Sequence, residues 1–369
     1  MSIKIEIIFK NNPKHLRQIY TGFSELAQRG IIDLTVSRKT PFDYDPSSRP
    51  VLNVILNEKV KIAYDTMDGF NYIPGTEQQN LDYLETQLEN VDFYFKRSYK
   101  SGLPISNRHK LLPLGLYYQV TSSNNFAEKF YLYKNKPFKQ RIKEYISHKP
   151  FIKTSLEKYG YTLNTKPKFS YDAFEYPPNL GLDPMIIFIP KVWSSETAKY
   201  DQSKKDRIEV SKMRIDLVIK LKQEFPSIFT GGIISDDPEI HRLYPQYVIT
   251  DPNKTDRLFY TKLMHNATIG VSTRGLHRSI GNKFTEYIAA SKCIVTEKLD
   301  FELPGDFEDG KNYLSFEDTS SCIDQIEKLL HDNNLRFEMM KRNYNYYHTY
   351  VRPDALVMNS INTVLKKIS

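Results

Sequence analysis

ATIGVSTRGLHRSIGNKFTEYIAASKCIVTE, residues Ala267 to Glu297, is the stretch whose reading decides the fold. An apolar run ends in a loop of Gly, Arg and His. That loop feeds a short helix that begins near Asn282 and carries Lys283 and Glu286, and a second apolar run starts at Cys293. Strand, loop, helix and strand in such close succession are the grammar of a parallel α/β sheet. The loop opens onto a helix N-terminus, where unpaired N–H groups and the positive end of the macrodipole favour phosphate. Arg274, Arg278 and Lys283 add fixed cations, and Glu286, one turn in, is placed to accept hydrogen bonds from neutral hydroxyls. Phosphate together with a polyol points to a nucleotide, and more narrowly to a nucleotide sugar.

The same alternation extends outward. Met185 to Ile189 reads as a strand, Ser203 to Phe225 as a long amphipathic helix, Phe229 to Ile234 and Gln246 to Thr250 as strands, and Thr255 to His265 as a helix. Helices close the chain from Ser320, one of them starting at Pro353. The first half repeats the pattern: strands at Ile3–Phe9, Ile31–Ser37, Val51–Leu56, Lys59–Tyr64, Val91–Phe95 and Lys110–Leu112, with helices at His15–Gln28 and Glu77–Glu89. Thr162 to Pro184, rich in Pro, Asn and Tyr, has no helical period and is long for a loop within one domain. The expectation is therefore α/β: two doubly wound, Rossmann-like domains facing across a cleft that holds the ligand. Their bounds are 1–165 on the acceptor side, a linker at 166–184, 185–350 on the nucleotide-sugar side, and a C-terminal helix at 351–369 crossing back to the first.

A chain of 369 residues suits two cores better than one. Lys plus Arg exceed Asp plus Glu by 52 − 44 = 8, which favours anionic partners, although no run of five like charges marks a nucleic-acid-binding tail. Two cysteines, Cys293 and Cys322, cannot build a disulfide framework, and a reducing cytoplasm fits them. The N-terminus has no signal-peptide layout and no apolar run approaches a bilayer span, so any membrane association is expected to be peripheral.

In the first half, Tyr64-Asp65-Thr-Met-Asp68-Gly69 follows a strand, so Asp65 or Asp68 is a candidate base for an acceptor hydroxyl; an Asx-type turn explains the pair equally well. Lys96 and Arg97 end a strand in the same way. Asp43-Tyr-Asp45 sits in a Pro-flanked loop and reads as a turn. Tyr131, Tyr133, Phe138, Tyr145 and Phe151 interleave with Lys129, Lys134, Lys136, Lys139 and Arg141, a mixture that suits core aromatics flanked by basic residues or a sugar- or membrane-facing surface. His109, His148 and His265 have no partner at metal-ligand spacing, so no metal site is expected. Neither a Gly-x-Ser-x-Gly elbow nor a phosphate loop ending in Gly-Lys-Ser/Thr occurs, which removes serine hydrolases and P-loop nucleotide triphosphatases.

Lys283-Phe-Thr-Glu-Tyr-Ile-Ala-Ala-Ser-Lys-Cys-Ile-Val-Thr-Glu297, followed by Phe307-Glu-Asp-Gly-Lys-Asn-Tyr-Leu314, resembles the C-terminal signature of group 1 glycosyltransferases of the two-Rossmann B-type fold, in their spore-maturation-type and exostosin-like branches. The resemblance covers roughly the last 110 residues well and hardly touches the first half. It implies that Glu286 holds the ribose hydroxyls, that Lys283 and the backbone at Gly281 and Asn282 lie beside the diphosphate, and that Arg274 and His277 face the donor sugar. It also puts Lys191, after the run IIFIP, near a phosphate. Many retaining members carry a second Glu eight residues before the helix Glu; here that position is Arg278, which leaves the stereochemical course open.

The function expected is transfer of a hexosyl or deoxyhexosyl group from a nucleoside-diphosphate sugar to an acceptor hydroxyl on a glycan, glycoprotein or other cell-surface precursor. No metal or other cofactor is expected, because cations neutralise the departing diphosphate. Asp65, Asp68 and His277 are the catalytic candidates; Lys191, Arg274, Arg278, Asn282, Lys283 and Glu286 are the donor-binding ones. Nucleic acid is not an expected partner. A sugar-nucleotide epimerase on the same fold, or a non-enzymatic basic protein binding glycan or nucleic acid, are the rival readings.

Overall fold

In a computed structural model of the chain, residues 2–9, 14–37, 49–129, 137–147, 155, 158, 169–198 and 201–368 are described. Asp43, Asp45, His148, Tyr131, Tyr133, Phe151, Lys134 and Lys136, the Tyr145 side chain and part of the expected linker lie outside them. Two compact α/β units emerge: Met1–Met67 with Tyr72–Ala173 and Arg352–Ser369, and Phe174–Val351 with the short segment Asp68–Asn71.

The first unit is built on a six-stranded sheet of β1 (Ile3–Ile8), β2 (Ile32–Ser37), β3 (Val51–Leu56), β4 (Val60–Asp65), β5 (Phe93–Lys96) and β6 (Leu111–Pro113), in the order β2-β1-β3-β4-β5-β6. All neighbours run parallel except those of β3, which is antiparallel to both β1 and β4. Within the doubly wound plan, β3 departs from the parallel run that the alternation of strands and helices suggests. The cause is local: only Asn57, Glu58 and Lys59 separate Leu56 from Val60, the first two at positive φ (50° and 62°). A link that short closes a hairpin, whereas a parallel crossover takes a dozen residues or more.

Helix α1 (Arg17–Gln28) ends at Gly30, whose left-handed φ of 69° lets the amides of Gly30 and Ile31 bond back to the carbonyls of Ala27 and Leu26. Helix α2 (Glu77–Glu89) starts with a capping box between Thr76 and Gln79 and buries Leu81, Leu84 and Leu88. A third helix, α3 (Phe138–Ser147), leaves Phe138 exposed. The C-terminal helix (Pro353–Ile368) belongs to this unit, adding Leu356, Val357, Ile361 and Val364 to the core that holds Ile5, Ile7 and Phe23. Its approach to α1 requires Gly22, where a Cβ would stand 2.1 Å from the Pro353 carbonyl oxygen.

The second unit carries β7 (Ile186–Phe188), a short β8 (Lys191–Val192), α4 (Asp201–Glu224), β9 (Phe229–Gly231), β10 (Ile234–Ser235), α5 (Pro238–Leu243), α6 (Arg257–Asn266), β11 (Ile269–Ser272), α7 (Asn282–Ala289), β12 (Cys293–Glu297), β13 (Leu314–Phe316), α8 (Thr319–His331) and α9 (Asn333–Tyr346). Its main sheet runs β13-β12-β11-β7-β9 with every pair parallel. Numbered within the unit this is 5-4-3-1-2, the doubly wound order whose direction reverses between β7 and β11. The expected strand at Gln246–Thr250 is reduced to a single bridge between Ile233 and Val248. Gly270 lets α7 lie close on the sheet, since a Cβ there would meet the Tyr287 ring at 2.6 Å.

Candidate functional site

In an open parallel sheet, ligands bind beyond the carboxyl ends of the strands at the point where strand order reverses. In the second unit that point lies past Phe188 of β7 and Ser272 of β11. Arg214, on the inner face of α4, fastens the two loops that leave it: its guanidinium donates to the Lys191 carbonyl (2.7 Å), the Thr273 hydroxyl (2.8 Å) and the Arg274 carbonyl (3.0 Å).

The loop after β11 is held by its own backbone. Arg274 N–H donates to Glu297 Oε2 (2.8 Å), Gly275 N–H to the Ser279 carbonyl (2.7 Å) and His277 N–H to Asp206 Oδ2 (2.6 Å). His277 and Arg278 both sit at φ 58°, a left-handed conformation costing about 1–2 kcal/mol per non-glycine residue, so neighbouring bonds fix a shape the chain would not choose alone.

Helix α7 starts after Gly281, which offers no side-chain cap and has open space where a Cβ would point; the Phe284 amide donates to the Gly281 carbonyl (3.1 Å), and no side chain caps the first turn. One turn in, Glu286 is buried, with 3% of its surface exposed. Its Oε1 accepts from Arg257 Nη2 at 3.2 Å; its Oε2 accepts no hydrogen bond although buried, and the Lys283 ammonium stands 3.8 Å away. Leaving such an oxygen unmatched costs about 1–3 kcal/mol or more for a charged group, a deficit that a ligand hydroxyl would remove. Arg257, the first residue of α6, stacks over Phe174 (5.0 Å) and so holds the carboxylate at a fixed orientation.

About two-fifths of the Lys283 side chain meets solvent, yet its ammonium lies over the Tyr260 ring, 2.8 Å from the centroid. Enclosure of that nitrogen is the main cause that brings its pKa down to about 8; Glu286 opposes the shift and Arg257 adds to it.

Of the donor-side candidates, Arg274, Arg278, Asn282, Lys283 and Glu286 lie together around β11 and α7. Arg274 and Arg278 both pair with Asp300, at 2.8 and 3.3 Å. Asn282 is the first residue of α7. Lys191 stands at the edge of the second loop, exposed and paired with Asp236 at 2.8 Å. The segment Asp68–Asn71 joins this unit: a Cβ on Gly69 would lie 2.9 Å from His277 Cβ, and Asn71 Nδ2 is 2.5 Å from His277 Nδ1. Asp206 Oδ2 stands 3.9 Å from the same ring nitrogen, so Asn71 and Asp206 both hold the His277 ring.

Asp65 is placed differently. It is fully buried in the first unit, where Oδ1 accepts the Met67 amide and Oδ2 accepts the hydroxyls of Tyr72 and Tyr94, each at 2.8 Å, with Lys96 Nζ at 3.2 Å. Burial and the neighbouring Asp65 charge push both phenols well above the ordinary tyrosine range. Fully buried and already accepting from one amide and two hydroxyls, Asp65 anchors the end of β4. Asp68 has partial exposure.

Sequence reasoning missed Asn71, Asp206, Arg214, Arg257 and Asp300. Arg214 alone left a trace: it falls in the apolar register of α4, with Val210, Leu217, Val218 and Leu221 buried on the same face. Among the described residues no group of three or more His, Cys, Asp or Glu is arranged to hold a metal ion, and no helix is long and apolar enough to cross a membrane.

No family model matches the chain, and no curated protein does. Among solved structures, HepE from Anabaena, crystallised with UDP and glucose, is 10% identical over 97% of this chain and 98% of its own, with a TM-score of 0.36. TarM from S. aureus is 11% identical, covering 81% of this chain and 49% of its own, with a TM-score of 0.40. The C-terminal domain of LpcC from Francisella tularensis, a glycosyl transferase group 1 family protein, is 15% identical over 48% of this chain and 96% of its own, at 0.30. At these scores the likenesses do not decide what the chain does, and its reading rests on the site itself.

Proposed function

We propose that the chain is a glycosyltransferase that takes a hexosyl or deoxyhexosyl group from a nucleoside-diphosphate sugar and passes it to an acceptor hydroxyl, with the first unit on the acceptor side. One observation carries the reading: a buried carboxylate with a free oxygen, Glu286 Oε2, lies one turn inside a helix whose first amides have no side-chain cap. Amides and the helix dipole suit the diphosphate, and the free oxygen suits the ribose diol. Lys283 is poised to leave the Tyr260 ring for the diphosphate, and with the amides it would neutralise charge on the leaving group, so that turnover is expected to survive a chelator. His277 faces the donor sugar and Asp68 is the base on this reading.

The test is a thermal-shift screen against UDP, GDP, CDP and dTDP and their sugars, followed by product analysis with and without acceptors. A nucleotide that binds the native form raises its unfolding midpoint by mass action. Transfer only when an acceptor is supplied supports the proposal; a new nucleotide sugar formed from donor alone would establish an epimerase instead. Binding that survives Glu286→Ala and falls steeply with salt would indicate a polyanion-binding protein.

A further inference from the structure

Several cations around the switch point have a carboxylate beside them, and buried Arg214 has none among the described residues. Arg274 and Arg278 pair with Asp300, Lys191 with Asp236, and Lys283 and Arg257 with Glu286. Arg214 is 8% exposed and donates only to neutral acceptors, the Lys191 and Arg274 carbonyls and the Thr273 hydroxyl, while its plane lies 4.7 Å from the Trp193 ring centroid. Among the described residues no carboxylate comes within ion-pair distance of it. Glu297 acts on it through space, and its Oε2 is taken by the Arg274 amide. A buried charge without a counter-ion is expensive to keep, and folds retain one where a ligand supplies the opposite charge.

Its hydrogen bonds have a second effect. By drawing the Lys191 and Arg274 carbonyl oxygens inward, Arg214 turns the negative ends of two peptide dipoles away from the space beyond β7 and β11. The amides of Arg274, Gly275, His277 and Ser279 are already spent within the loop and on Glu297 and Asp206, so the loop itself has few donors left for an anion. Fixed charge behind it must make up the difference.

We propose that Arg214 is a specificity-determining and positioning residue: without touching the ligand, its buried positive charge, which has no carboxylate in ion-pair contact, makes this site prefer a nucleoside diphosphate over the corresponding nucleoside. The inference rests on the nucleotide-sugar reading of the same site.

Calorimetric affinities of the best nucleoside diphosphate from the thermal screen, of its nucleoside and of inorganic pyrophosphate are measured for wild type, Arg214→Met and Arg214→Lys. Expected is a loss of about tenfold or more in diphosphate and pyrophosphate affinity for Arg214→Met, with nucleoside affinity within about twofold of wild type. Arg214→Lys, which keeps the charge, is expected to recover most of the diphosphate affinity. A role in holding the loops alone would weaken nucleoside and diphosphate equally, and that result, or undiminished diphosphate binding, overturns the inference while leaving the nucleotide reading intact. Should Arg214→Met not fold, Arg214→Lys decides: equal losses on all three ligands refute the charge role. Wild type that binds no nucleoside diphosphate overturns the reading and the inference together.

Discussion

Lys292 is 2% exposed, and its ammonium has a single hydrogen bond, to the His265 carbonyl at 2.7 Å, and the Tyr176 ring at 4.7 Å. No carboxylate contributes to its environment, and burial brings its pKa from 10.5 down to about 8. The unfolded chain therefore holds this proton more tightly than the folded one, so the second unit pays to fold below pH 8 and stability rises as pH climbs from about 8 toward 10.5. A displacement of about two and a half units corresponds to about 3 kcal/mol at pH 7, of which about 1 kcal/mol is relieved by pH 9. Lys292→Met removes this dependence. The assay is urea unfolding at pH 7, 8 and 9 followed by tryptophan fluorescence; the only tryptophan, Trp193, lies in the second unit and reports it separately. Lys283 adds a term of the same sign, but it is common to both proteins and cancels in their difference. Work stops at pH 9 because buried tyrosines, raised above 10, destabilise the folded state beyond that. The gap between variant and wild type should narrow by about 1 kcal/mol from pH 7 to 9; parallel stability curves would refute the argument.

Asp65→Asn removes the carboxylate beside buried Lys96 and is expected to destabilise the first unit by about 3–5 kcal/mol, read by hydrogen exchange of β4 and β5, with nucleotide affinity in the second unit unchanged. Gly270→Ala drives a methyl against the Tyr287 ring and is expected to cost about 1–3 kcal/mol, seen as a lower midpoint in the tryptophan-detected transition. Asp68→Asn is expected to lower turnover by about a hundredfold or more with donor affinity within about twofold; full turnover would remove Asp68 as the base.

The α/β alternation was legible because its strands are short apolar runs and its helices carry apolar stripes, and both periods survive without knowledge of the partners. The antiparallel strand was also legible, in the two-residue spacing between Leu56 and Lys59, but strand and helix alternation around it masked the hairpin. Around α7 the residues were legible because they are close in sequence. Those that tune them were not: Arg257 reaches Glu286 from another helix, Asp300 meets Arg274 and Arg278 from beyond β12, and Asn71 reaches His277 across 206 positions. Asp65 shows the reverse limit, since a carboxylate at a strand end has the same sequence signature whether it meets a substrate or, as here, two tyrosines and a lysine.

Isothermal titration of the stabilising nucleoside diphosphate into wild type and Glu286→Ala tests the central claim most directly. Loss of one or two hydrogen bonds to the free carboxylate oxygen, each about 1.5–3 kcal/mol, should weaken binding at least about tenfold while the variant stays folded. Equal affinity in the two proteins would contradict the assignment of α7 as the nucleotide-binding helix.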